Sequence, residues 1–130
     1  MTTERTAEEW GRVAVALPGW SWMARMYARV PLGPGATTWV TVTAVEGEWL
    51  HHSGDRRTLA HRCFPQVGDP ATAGCLLALL GKDARWLRAQ AGDGGHVEYR
   101  HYHLATWRPN LGRACIAAAE AIGRWPGGDL

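Results

Sequence analysis

Histidine and cysteine are the residues here whose types and spacing could hold a metal. His101 and His103 stand two apart in a stretch that alternates like a strand, so they share a face, and His61 with Cys63 repeats the spacing. A zinc site needs three or four such ligands converging. Brought together, His61, Cys63, His101 and His103 could supply one, although no recognised ligand spacing supports it. Partly exposed histidines on a sheet are the plainer reading, and no cofactor is expected. Nucleophilic chemistry has less to start from. The only serines are Ser21 and Ser53, neither in a Gly-x-Ser-x-Gly elbow. The three cysteines are odd in number and form no C-x-x-C pair, as expected of reduced, buried thiols. The glycine-rich segments at Gly33–Gly35 and Gly92–Gly95 lack the Lys-Ser/Thr of a phosphate loop. The expectation is a protein that is not an enzyme.

Recognition chemistry is better represented. Trp20, Trp22, Arg25, Tyr27 and Arg29 fall within ten residues. On a strand, Trp20, Trp22, Ala24 and Met26 take one face and Arg25, Tyr27 and Arg29 the other. The second face combines rings that stack with guanidinium groups that fork onto phosphate, which suits a small nucleotide. Tyr99, Arg100 and Tyr102 could contribute in the same way. The competing interpretation is an amphipathic edge strand with solvated arginines. The chain has eight tryptophans, and Lys82 is its only lysine among 14 basic residues. Tryptophan and arginine are also the residues that anchor protein interfaces.

The elements that must position these groups are marked locally. Thr6 with Glu9 three positions later forms a capping box ahead of Trp10, Val13, Ala14 and Leu17 at helical spacing, and Leu17-Pro18-Gly19 ends that helix. Met23 to Val30, Thr37 to Val45, Glu48 to His52 and Thr58 to Phe64 read as strands of an antiparallel meander. Asp69 caps a second helix with Pro70 at its first position, and Ala71 to Leu80 is apolar nearly all round. Lys82 to Gly95 carries a short helical signal around Trp86, and His96 to Thr106 reads as one strand. Pro109 or Asn110 opens a last helix that turns Leu111, Cys115, Ala118 and Ile122 inward, with Glu120 and Arg124 paired outside. The result is an α+β fold: one small antiparallel sheet with an N-terminal, a buried middle and a C-terminal helix packed on it, in a single domain over residues 1–130.

Composition sets the outer bounds. The 130 residues and 14.3 kDa suit one core. Hydrophobic residues make up 46% and charged residues 20%, which is globular rather than disordered. The longest apolar run, Cys75 to Leu80, is far below the ~20 residues that span a bilayer, so no membrane partner is expected. The first nine residues lack an apolar export core, so a cytoplasmic protein of the bacterial host is expected. A net charge of +2 with scattered arginines is no strong nucleic-acid signal.

Two stretches, Leu17-Pro18-Gly19-Trp20-Ser21-Trp22-Met23 and Asp69-Pro70-Ala71-Thr72-Ala73-Gly74-Cys75-Leu76, carry a resemblance. The chain is similar to a group of small uncharacterised accessory proteins of phages and prophages of GC-rich bacteria, which close on an alanine-rich helix, here Arg113 to Ile122. That group brings no established activity and no catalytic residue. What the resemblance implies is a context of action by binding: an anti-defence factor that sequesters a small nucleotide signal, or a module that inhibits or adapts a host or phage protein through a Trp/Arg patch. A small domain has little room to enclose a ligand, so a homo-oligomer is expected.

Overall fold

In a computed structural model the described residues are 5–52, 56–88, 95–100, 102–105 and 111–129. The first helix, α1 (Ala7–Ala16), starts on the expected capping box: Thr6 Oγ1 accepts from Glu9 N–H at 3.1 Å and Glu9 Oε1 accepts from Thr6 N–H at 3.1 Å. The second, α2 (Pro70–Leu80), starts on Asp69, whose Oδ2 accepts from Thr72 N–H at 2.9 Å. Gly81 ends it at φ +92°, a backbone that side chains avoid. The third, α3 (Leu111–Ile122), buries Cys115 and Ala118 as expected. Its expected opening at Pro109 or Asn110 lies outside the described residues. Glu120 on α3 forks onto Arg5, which ties α3 to the start of α1.

The α+β class holds, but the strands divide among three small antiparallel sheets. The first has the order β2–β1–β6, from β1 (Tyr27–Gly33), β2 (Ala36–Thr41) and β6 (Phe64–Pro65). The second is β3–β4–β5, from β3 (Ala44–Glu46), β4 (Trp49–His52) and β5 (Arg56–Leu59). The third is β7–β8–β9, from β7 (Ala84–Arg88), β8 (Gly95–Tyr99) and β9 (Tyr102–Ala105).

Five segments depart from the sequence reading, each because tertiary pairing outweighs local pattern. The expected strand from Met23 begins only at Tyr27. Before it the chain turns at Arg25 (φ +83°), locked by Arg25 N–H donating to Val42 O at 2.8 Å, so that Met26 and Trp22 are buried. The run Thr37 to Val45 breaks at the buried Val42, where the chain leaves β1 for β4. Thr58 to Phe64 is interrupted by a 3₁₀ turn at Ala60–Arg62, which carries the chain from the second sheet back to the first. Lys82 to Gly95 forms no helix at Trp86, because Trp86 pairs with Val97 in β7–β8. Finally, His96 to Thr106 is a hairpin rather than one strand, with Arg100 at φ +53° between the paired Tyr99 and Tyr102.

The core joins these layers through Met26, Val30, Val42, Leu50, Leu76, Leu80, Val97, Ile116 and Trp125, all fully buried. Close backbone approaches fix the helices on the sheets. A Cβ at Gly11 of α1 would stand 2.8 Å from Pro65 O, and one at Gly112 of α3 would collide with Val67 O. Among the described residues, no helix is long and apolar enough to cross a membrane.

Candidate functional site

The candidate site is the outer face of the first sheet. Along β1, Ala28 and Val30 are buried while Tyr27 and Arg29 are half-buried, so the period of two turns Tyr27 and Arg29 outward together, as the sequence predicts. Register then sets their neighbours. Arg29 lies opposite Trp39 of β2 on one side and Phe64 of β6 on the other. Trp39 stacks on Tyr27 with centroids 5.6 Å apart and planes at 13°. Phe64 meets Trp39 edge-on at 6.0 Å. The Arg29 guanidinium carbon lies over the Trp39 ring, 5.1 Å from its centroid, and Arg29 Nε–H donates to Thr37 Oγ1 at 2.7 Å. Arg12 of α1 sits over Phe64 at 5.1 Å.

The face is held from below. Tyr27 N–H donates to Thr72 Oγ1 at 2.8 Å, and that hydroxyl donates to Asp69 Oδ2 at 3.0 Å. Thr72 is fully buried, so its hydroxyl ties the Asp69 cap of α2 to the backbone of Tyr27. The charge balance is uneven. Arg12 is paired with Glu8 at 3.3 Å. Among the described residues, no carboxylate pairs with Arg25 or Arg29. What the arrangement offers is a row of stacked rings beside a guanidinium whose terminal N–H groups are open to an anion, a combination that suits a ring and a phosphate.

The other sequence candidates go elsewhere. Trp20 and Trp22 meet edge to face at 5.3 Å, and Trp20 meets the buried Trp125 at 5.9 Å, so these rings belong to the packed interior and not beside Arg29. Arg25 is exposed on its turn, off the strand. Tyr99 and Arg100 line a separate groove of about 310 Å³ with Leu80, Lys82, Arg124 and Gly127. There Arg100 covers the Tyr99 ring at 5.3 Å and bonds Asp83 Oδ2 at 3.3 Å, which partly neutralises it. Tyr102 and His103 lie on β9, but their side chains are outside what is described, as is His101 altogether.

His61 and Cys63 do not share a face. The 3₁₀ turn leaves His61 exposed and buries Cys63, whose thiol donates to Leu59 O at 3.4 Å. Burial pushes the Cys63 thiol up to about 11 and Cys115 up to about 12, and it raises Cys75 as well. These thiols are protonated at neutral pH and poorly suited to act as nucleophiles. Sequence reasoning missed Trp39, Thr37, Phe64 and Arg12. Thr37, Trp39 and Thr41 do alternate within one β-rich run, but only the register of β2 on β1 brings them to Arg29.

Comparison with protein-family models, with curated proteins and with solved structures gives no match.

Proposed function

We propose that this is a non-catalytic binding protein that takes a small nucleotide on the β1–β2 face, the base against Tyr27 and Trp39 and a phosphate on Arg29. The observation that carries the reading is the Arg29 guanidinium lying over Trp39, itself stacked on Tyr27, with no carboxylate paired to that guanidinium among the described residues. The resemblance to phage accessory proteins supplies the setting: sequestration of a nucleotide signal used in host defence.

A second reading has its own support. The face is open, and its Trp, Tyr and Arg are the residues that dominate protein interfaces, so a host or phage protein could dock there. Titration calorimetry with adenosine and guanosine monophosphates separates the two. Saturable binding that weakens about 10- to 100-fold in Arg29→Ala, as loss of a charge-assisted hydrogen bond implies, supports the nucleotide reading. Binding unchanged in Arg29→Ala and Trp39→Ala overturns it. No nucleotide binding, together with capture of one host protein that Trp39→Ala abolishes, favours the protein partner.

A further inference from the structure

We infer that the ligand site continues beyond Arg29 into a groove between β1 and the β4–β5 hairpin, so that it takes two nucleotides joined by a phosphate rather than one. This rests on the nucleotide reading of the β1–β2 face. The groove, of about 340 Å³, is lined by Pro31, Gly33, Trp49, Arg57, Leu59 and Arg62 among others, and lies at the small end of the range for ligand sites (~300–1,000 Å³).

Continuity follows from register. Arg29 and Pro31 alternate on the same side of β1, ~7 Å apart along the strand. Arg29 lies opposite Phe64, and the 3₁₀ turn just before Phe64 brings Arg62 to the groove wall that Pro31 also lines. Past Pro31 the groove reaches β4 and β5, where Trp49 lies opposite Leu59. Arg57 covers the Trp49 ring at 4.6 Å, the same pairing of guanidinium and indole found at Arg29 and Trp39. Two stacking stations, each with its own arginine, thus lie on this path, and Arg62 lines the groove at the second.

Charge is uncompensated along this path. Among the described residues no carboxylate pairs with Arg29, Arg57 or Arg62, whereas Arg5, Arg12, Arg85 and Arg100 each have one. Two rings and three guanidinium groups in a row match two bases with their phosphates. A mononucleotide fills one station only. A linked pair fills both, and the second contact is made at high effective concentration.

The test is calorimetry of the intact protein with adenosine monophosphate, 5′-phosphorylated diadenylate and hexaadenylate, using wild type, Arg29→Ala and the double variant R57A/R62A. Arg57 and Arg62 are exposed, so the double variant keeps the fold, and an unchanged melting temperature verifies it. The expected result is diadenylate at least about tenfold tighter than the monophosphate, a gain lost in R57A/R62A while monophosphate affinity stays within about threefold. Diadenylate no tighter than the monophosphate, with Arg29→Ala still abolishing both, overturns the extension and leaves the single-nucleotide site standing. Hexaadenylate about another tenfold tighter than diadenylate overturns the limit of two in favour of a single-strand channel. Arg29→Ala without effect on any ligand overturns the nucleotide reading and the extension with it.

Discussion

Trp20, Trp22 and Trp125 form one aromatic cluster, and Tyr27, Trp39 and Phe64 another, yet the two are built differently. In the first, rings meet only rings, edge to face, and the Trp125 Nε1–H donates to Ala14 O at 2.9 Å. In the second, guanidinium groups lie over the rings. Trp10 stands between these cases. Arg5 covers it at 4.9 Å, but Arg5 is neutralised by Glu120. Cation–ring contact alone therefore does not mark a site. The discriminating feature is a guanidinium left without a counter-charge on a ring that solvent can reach, and Arg29 on Trp39 meets it.

Removing one ring from each cluster should separate structure from recognition. Trp125→Ala, the fully buried ring of the first cluster, should cost about 3–5 kcal/mol in urea unfolding, enough to leave little folded protein. A loss below about 1 kcal/mol would show that the cluster is not the keystone it resembles. The support beneath the outer face comes next. Thr72→Val removes the acceptor of Tyr27 N–H and should cost about 1–3 kcal/mol, with ligand affinity falling as Tyr27 loses its position. Arg29→Ala should do the reverse, weakening nucleotide binding while shifting stability by no more than about 0.5 kcal/mol.

The smallest effect is one of pH. Burial, then the charges of Arg56 and His51, hold the His52 imidazole below its ordinary value of 6.5. The folded chain then binds fewer protons at His52 than the unfolded chain does. The stability this supplies is complete above about pH 6.5 and is lost as pH falls through that value toward the folded one. Unfolding curves at pH 7.5 and 5.5 should diverge less in His52→Gln, a residue able to keep the bond to Thr58 Oγ1, seen at 2.9 Å from Nε2. Equal divergence in wild type and variant would remove His52 from the account.

Helix starts were legible because their signals are local: Thr6 with Glu9 and Asp69 with Pro70 act within one turn. So was the alternation that turns Tyr27 and Arg29 outward. The sheet partition was hidden, since Val42 and the 3₁₀ turn at Ala60–Arg62 hand the chain between sheets through pairings with distant strands. Trp39 escaped for the same reason. Ten residues from Arg29 in sequence, it becomes its neighbour only through register. The density of tryptophan around Trp20 and Trp22 pointed to a surface, but a sequence cannot say which rings find partners inside.

The bond from Trp125 to Ala14 spans 111 residues, and Trp125 N–H donates at 2.8 Å to Pro18 O, the segment that leaves the first helix. On the ribosome, α1 is made 111 residues before this partner exists. Packing on β6 can cover the Gly11 side of α1 earlier, but the backbone at Ala14 and Pro18 that Trp125 meets stays uncovered until then. The vulnerable interval in the life of this protein therefore falls during its synthesis.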